Sequence, residues 1–171
     1  MVDAQRRLLG AMAPEDQTRL VERGRRLLEA TDRLEIPVLA TEQYPKGLGA
    51  TEETLRQAAP ETTRWFDKTC FSCCRARGFG SALVADRPQT VLFGMETHVC
   101  VLQTALELQA QGKEVFVVED AVCSRSPENR ANALARLRQA GIIVTNSESV
   151  LFEWLGNARH EHFKALTAAL K

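Results

Sequence analysis

The chain has 171 residues, 44% of them hydrophobic, and 22 Lys and Arg balance 22 Asp and Glu, so its formal net charge is zero. One domain over residues 1–171 is expected at roughly 150 residues per domain, with too much apolar material for intrinsic disorder. A neutral chain excludes nucleic acid or an anionic membrane as a partner recognised through bulk charge. Apolar runs such as Val115–Val118 fall far short of the ~20 residues that cross a bilayer. The opening Met-Val-Asp-Ala-Gln-Arg-Arg places charges before any apolar stretch and does not read as a secretory signal, so a cytoplasmic protein is expected. Its five cysteines, Cys70, Cys73, Cys74, Cys100 and Cys123, are then thiols rather than a disulfide framework.

In chain order, Leu20, Val21, Leu27 and Leu28 among Arg and Glu predict an amphipathic helix over 15–32. Ile36–Ala40 is a short apolar run whose Pro37 is tolerable only near a strand's start. The segment Tyr44-Pro-Lys-Gly-Leu-Gly49 is rich in turn residues, and Trp65–Lys68 is a possible strand. Thr90–Gly94 reads as a buried strand and His98–Gln111 as a helix closed by Gly112. Val115–Val118 and Ile142–Val144 are further buried strands. Between them a helix starts at Ser126-Pro127, an N-cap followed by Pro at the first helical position, and stops at Gly141. Helices near Glu148–Leu155 and Arg159–Leu170 close the chain. Strands apolar on both faces, alternating with helices, predict a doubly wound α/β fold with a parallel sheet.

Ligands of such a sheet bind at the carboxyl ends of the strands, near the point where strand order reverses. Three reactive side chains fall just after expected strands: Asp3, Lys68 and Cys100. Cys100 sits in the first turn of a helix, where unpaired N–H groups and the dipole favour thiolate and could bind an oxyanion. A lone Cys at such a junction is otherwise a small buried hydrophobe, Asp3 alone a solvated carboxylate or a cap, and Lys68 alone a surface residue. Together they supply a nucleophile, a base and a cation.

The segments Val2-Asp-Ala-Gln5, Ile36-Pro-Val-Leu-Ala-Thr-Glu-Gln-Tyr-Pro-Lys-Gly-Leu-Gly49, Lys68-Thr-Cys-Phe-Ser72, Gly94-Met-Glu-Thr-His-Val-Cys100 and Val118-Glu-Asp-Ala-Val-Cys-Ser-Arg-Ser126 carry a resemblance over essentially the whole chain. The sequence resembles the isochorismatase-like cysteine hydrolases, in the subgroup of isochorismatase domain-containing proteins related to YcaC. The resemblance implies a Rossmann-like three-layer sandwich whose six-stranded parallel sheet has the order 3-2-1-4-5-6. It also implies a triad of Asp3 as general base, Lys68 as partner of the thiolate and Cys100 as nucleophile. A cis peptide between Met95 and Glu96, with the N–H groups of Glu96 and Cys100 as an oxyanion hole, completes the implied site. The activity expected is hydrolysis of a small C–N bonded, amide-type substrate through a thioester, without cofactor, in a homo-oligomer. Gln5, Gln43, Tyr44, Phe71 and His98 are the candidate pocket residues. The family's first strand has several apolar residues before its Asp, whereas here only Met1 and Val2 precede Asp3, so that strand is expected short or truncated, with both neighbours' edges exposed.

Other readings compete. Cys70-Phe-Ser-Cys73-Cys74 offers a Cys-x-x-Cys for zinc or redox chemistry. A second ligand pair is missing, since His98, Cys100 and Cys123 are not suitably spaced, and no metal is expected. His160 and His162 read as solvated. Gly47-x-Gly49 and Gly78-x-Gly80 lack the third glycine of a dinucleotide loop, and Arg23, Arg25 and Arg26 share a solvated helix face with Glu22 and Glu29. The apolar segment Phe163–Leu170 fits a helix buried against another subunit. The rival of a different class is a catalytically impaired scaffold or interaction protein that keeps the fold.

Overall fold

A computed structural model describes residues 1–168. After α1 (Arg6–Leu9) comes the long helix α2 (Pro14–Arg33), started by Pro14 with Glu15 and Asp16 in its first turn. Its buried residues Leu20, Gly24, Leu27, Leu28 and Thr31 recur at helical spacing. β1 (Leu39–Gln43), α3 (Pro45–Leu48), α4 (Glu53–Ala58) and β2 (Arg64–Lys68) follow, then a 3-10 turn at Cys73–Arg75 and α5 (Phe79–Ala82). β3 (Gln89–Met95) leads through a π-helical turn at Thr97–Val101 into α6 (Leu102–Ala110). The chain continues with β4 (Glu114–Cys123), α7 (Pro127–Gln139), β5 (Ile143–Thr145), α8 (Ser147–Leu155) and α9 (Phe163–Thr167).

All ladders between these strands are parallel, and helices cover both faces. On one face Leu20, Leu27 and Leu28 of α2, Leu55 of α4 and Val150 of α8 pack on Ala40, Phe93 and Met95. On the other, Leu102 and Leu108 of α6 with Leu134 and Leu137 of α7 pack on Leu92, Val115 and Val117. Neighbouring Leu92 and Phe93 thus face opposite layers, as the two-residue period of a strand requires. Gly24 lets α2 approach closely, because a Cβ there would lie 3.0 Å from both Leu55 and Phe93.

The sheet departs from the six-stranded expectation. Two sheets are present, β1-β2 and β3-β4-β5, and the first expected strand is reduced to Val2, which makes single parallel bridges to Thr41 and Gly94. The cause is local. Asp3 adopts φ +46, and Gln5 N–H donates to Asp3 O at 2.7 Å, so the chain turns away immediately after Val2. The run Ile36–Ala40 also enters its ladder only at Leu39, past Pro37, which has no N–H to give. β4 extends to Cys123 rather than Val118, across an irregularity opposite Leu92–Gly94 that resets its register. β5 pairs over Ile143–Thr145. The α9 segment packs Leu166 and Phe163 on Ala30, Leu151 and Leu155 of the same chain, while 169–170 of the apolar run expected at a subunit contact lie outside the described residues.

Between the amino-terminal halves of β1 and β3 lies a cavity of about 310 Å³, bordered by Leu27, Leu39, Phe79, Val91 and Leu92. Met1 sits at its inner end with its ammonium donating to Leu39 O at 2.9 Å, and burial pushes that amine down to about 6.

Gly94 fixes the seam between the sheets. At φ +123 it holds a conformation L side chains rarely adopt, and a Cβ there would fall 2.0 Å from Val2 O. Gly94→Ala is expected to lose about 2 kcal/mol or more of stability, combining backbone strain and displacement of Val2. Urea unfolding followed by circular dichroism measures it; an unchanged midpoint would show that Val2 is not held against β3.

Candidate active site

The site is built from strand ends. β1 and β2 run in register so that Gln43 pairs with Lys68 at their carboxyl ends. Met95 ends β3 beside Cys123 of β4. Val2 lies between the two sheets, anchored by Val2 N–H to Phe93 O at 2.8 Å and Met95 N–H to Val2 O at 2.9 Å. The turn at Asp3 therefore delivers its carboxylate into the space between Lys68 and the π-helical turn that carries Cys100.

There Asp3 and Lys68 meet as an ion pair with both side chains at zero exposure, Lys68 Nζ to Asp3 Oδ2 at 2.6 Å. Nζ lies 3.7 Å from Cys100 Sγ. Nζ also donates to Gln43 Oε1 at 2.6 Å and contacts Phe71 O at 3.0 Å and Cys70 O at 3.2 Å, so an ammonium away from water is surrounded by acceptors. The other oxygen of Asp3, Oδ1, accepts from Thr41 Oγ1 at 2.7 Å. Thr41 Oγ1 in turn lies 3.4 Å from Cys73 Sγ. With the hydroxyl proton committed to Asp3, the Cys73 thiol is the donor in that contact.

The electrostatics correct the expectation of a resting thiolate. Burial first, then the negative charge of Asp3, push the Cys100 thiol far above its usual range, and Lys68 offsets only part of this. Burial by itself would lower Lys68, but its neighbours, above all the charge of Asp3 and the hydrogen bond to it, outweigh this and hold the ammonium above its usual range. The helix-start position of Cys100 is thus overridden by a neighbouring carboxylate in a dry site. Cys73 and Cys123 are likewise pushed up, mainly by burial, Cys123 to about 12, and Cys74 rises to about 11 for the same reason.

The remaining residues singled out from sequence divide by position. Gln43 belongs to the site, because its Oε1 holds Lys68 and its Nε2 donates to Thr69 O at 2.9 Å. Gln5 is fully buried and its amide is spent on backbone. Its Nε2 donates to Gly49 O at 2.6 Å and Gln43 O at 3.0 Å, and its Oε1 accepts from Gln43 N–H at 2.7 Å. That set clamps the 43–49 loop. Tyr44 and Phe71 flank Lys68 in the chain fold, Tyr44 N–H donating to Lys68 O at 2.7 Å, and both rings are more than half exposed. Tyr44 holds φ +38 with its ring over Gly47, where any Cβ would strike it at 2.3 Å. His98 turns to Ser124 instead, Nδ1 to Oγ at 3.0 Å.

The Met95–Glu96 peptide is cis. The Glu96 carboxylate accepts from the backbone N–H and the Nε of Arg125 at 3.0 and 3.1 Å, tying the loops after β3 and β4 together. Val101 N–H reaches Glu96 O at 3.1 Å, the five-residue step of a π turn. Thr41 and Cys73 are contributors that sequence reasoning missed. Thr41 was findable, since it stands two residues before Gln43 at the same strand end. Cys73 was not, because its approach depends on the 3-10 turn. Among the described residues no three His, Cys, Asp or Glu side chains gather in a metal-holding group.

Residues 1–149 match the isochorismatase domain model. The chain belongs to the isochorismatase family. Isochorismatase domain-containing protein 1 of Salmo salar is 43% identical over 155 residues, covering 89% of this chain and 53% of its own length. This family member therefore spans about half the length of that relative. Among solved structures, the MAR1 ribonuclease of Caenorhabditis elegans superposes with a TM-score of 0.91 at 38% identity, covering 98% of this chain and 85% of the other. YcaC of Escherichia coli, an octameric hydrolase of unknown specificity, gives 0.86 at 25% identity over 99% and 83% of the two chains.

The two charged partners act on Cys100 with opposite sign, which reactivity reads out. In Asp3→Asn the thiol loses a neighbouring anion, so its alkylation by iodoacetamide at pH 7 is expected to quicken several-fold. In Lys68→Ala it is expected to slow, and removing one member of a buried pair costs about 3–5 kcal/mol of stability. Peptide mass spectrometry of labelled protein and urea unfolding measure both. Equal rates in the two variants and the parent would mean that the charges do not reach the sulfur.

Proposed function

We propose that this chain is a cofactor-free cysteine hydrolase of a small amide-type substrate, working through Asp3, Lys68 and Cys100. The observation that carries the reading is the dry Asp3–Lys68 pair at 2.6 Å with the Cys100 sulfur 3.7 Å from the same ammonium. A base, a cation and a nucleophile within touching distance form the arrangement that nucleophilic catalysis needs. The resting state fits the sequence of events, since a protonated thiol beside a carboxylate has somewhere to send its proton only when attack begins.

Asp3 takes the Cys100 proton as sulfur bonds to the substrate carbonyl carbon, and Lys68 stabilises the negative sulfur as it forms. The carbonyl π electrons move to oxygen, which the N–H groups of Glu96 and Cys100 receive; one such donor is typically worth about 2.7–4 kcal/mol of barrier. The intermediate collapses, the C–N bond breaks, and Asp3 returns the proton to the departing nitrogen. Water, losing a proton to Asp3, then attacks the thioester and releases the acid. That proton goes back to sulfur and restores the thiol.

Gln43 is read here as a positioning residue for Lys68, and the exposed rings of Tyr44 and Phe71 as the rim that meets substrate. Val2, bridged to both sheets, is read as part of the first strand of a 3-2-1-4-5-6 order. We read the protein as a homo-oligomer as well, in keeping with the octameric YcaC relative. RNA, the substrate that the C. elegans relative's name suggests, is not carried over, because a chain of zero net charge lacks the electrostatic footprint of a polyanion binder.

Cys100→Ala is expected to abolish turnover in a screen of small carboxamides while leaving the melting temperature within a few degrees of the parent. A trapped acyl group on Cys100 in the parent, seen as a mass increase after rapid acid quench, is the positive sign. Full activity in Cys100→Ala overturns the mechanism. A folded parent that turns over no amide and gives no acyl adduct on Cys100 points to the scaffold reading.

A further inference from the structure

The Thr41 hydroxyl lies fully buried against the base, and the proton transfers described above make no use of it. It binds Asp3 twice. Thr41 Oγ1 donates to Asp3 Oδ1 at 2.7 Å and accepts from the Asp3 N–H at 3.3 Å. Its third neighbour is Cys73 Sγ at 3.4 Å, which gives the S–H once the hydroxyl proton is committed to Asp3. A hydroxyl has one proton to donate and two lone pairs to fill. Here the proton goes to a carboxylate, and the lone pairs meet an amide N–H and a thiol S–H. With all three directions taken, the hydroxyl has a single orientation that leaves none of these buried groups unmet.

That orientation holds a strained residue. Asp3 sits at φ +46, a region that residues with a side chain seldom occupy. One bond from the hydroxyl to its N–H and one to its carboxylate close a ring across the turn. Lys68 Nζ holds the other oxygen, Oδ2, at 2.6 Å, so the carboxylate cannot rotate without breaking a buried contact. Cys73 is in turn fixed from the nucleophile's helix. Its N–H donates to Thr104 Oγ1 at 2.9 Å, and the neighbouring Ser72 Oγ donates to Glu107 Oε2 at 2.7 Å. Thr104 and Glu107 belong to α6, which runs on directly from the turn that carries Cys100. The path from Thr104 through Cys73 and Thr41 to Asp3 therefore ties the base to the nucleophile's helix without passing through Lys68.

We propose that Thr41 and Cys73 are positioning residues acting in series: the Cys73 thiol orients the Thr41 hydroxyl, and the hydroxyl aims the Asp3 carboxylate at Cys100. This pair rests on the hydrolase reading above and deepens it. Neither residue exchanges a proton in the cycle. Asp3 takes the Cys100 proton and returns it, while Thr41 and Cys73 each keep their own, and nothing is oxidised or reduced. Aim matters because a displacement of about 1 Å at a reacting group can cost about 10²-fold in rate. Cys73, met in the sequence as half of a Cys-x-x-Cys pair, thereby serves as a hydrogen-bond donor rather than as a metal ligand or a redox thiol.

The test uses p-nitrophenyl acetate, with release of p-nitrophenolate followed by stopped-flow absorbance. That leaving group departs without a proton, so the burst reports attack by Cys100 and the later steady rate reports attack of water on the thioester. Both steps use Asp3. Thr41→Val is expected to lower the maximal rate of each phase about 10- to 100-fold, with the half-saturating ester concentration unchanged. Thr41→Ser keeps the hydroxyl and should recover most of the loss. Cys73→Ala should slow both phases several-fold, and Cys73→Ser, which restores a donor, should recover them. The double variant Thr41→Val/Cys73→Ala should stay within about twofold of Thr41→Val alone, because Cys73 acts only through the hydroxyl. Losses that multiply would mark two separate packing defects and overturn the proposal, as would a Thr41→Val protein as fast as the parent. Should Thr41→Val fail to fold by circular dichroism, the Cys73 variants decide, and equal rates in Cys73→Ala, Cys73→Ser and the parent overturn it. A parent with no burst, or a burst that survives in Cys100→Ala, removes the hydrolase reading itself and this inference with it.

Discussion

Two opposite charges removed entirely from water govern this structure. An ion pair such as Asp3–Lys68 is worth little to stability unless its remaining hydrogen-bonding capacity is met, and here it is met in detail. Thr41 takes the second carboxylate oxygen, while Gln43 and the carbonyls of Cys70 and Phe71 surround the ammonium. Each of these groups comes from a strand end or the loop that follows it. Satisfying one salt bridge therefore specifies the register of β1 against β2, the path of residues 70–71 and the turn after Val2.

The same pair decides what Cys100 is at rest. A carboxylate beside a buried sulfur holds the proton on sulfur, and the nearby ammonium is already committed to that carboxylate. A site built this way keeps its nucleophile unreactive toward chance electrophiles until something rearranges the charges. Displacing the contacts around Lys68, or placing an electron-poor carbon against the sulfur, shifts the balance toward proton transfer.

Much of this was legible in the sequence, and the boundary between what was and was not has physical reasons. Alternation of buried strands with capped helices gave the α/β class, because burial on both faces leaves runs such as Val115–Val118 with no polar residue. Asp3, Lys68 and Cys100 were visible as reactive types after strands, and the resemblance assembled them. The protonation state of Cys100 was not visible, since it depends on distances to Asp3 and on dryness rather than on the local helix start. Gln5 reads as a polar residue near a site, but its amide meets backbone groups of residues 43 and 49 that no local pattern relates to it. The π turn was hidden too: a helix start and a five-residue step carry the same apolar spacing over so few residues. Pro37 pushed the start of β1 later than the apolar run suggested.

The seam between the sheets has a dynamic meaning. Beyond side-chain packing, the two halves are joined at Val2 and its neighbours by four backbone hydrogen bonds: Val2 to Phe93, Met95 to Val2, Thr41 to Met1 and Asp3 to Thr41. All four involve the first three residues, and the third is the carboxylate of the site. Loss of Val2 from the seam and dismantling of the acid–base machinery are therefore one event. Segments held by few backbone hydrogen bonds open more easily than a packed core, so heat would silence this site while β3-β4-β5 and their helices were still folded. Loss of function and loss of structure would then follow separate temperature scales, with the thermal lifetime of the site set by three residues rather than by the core.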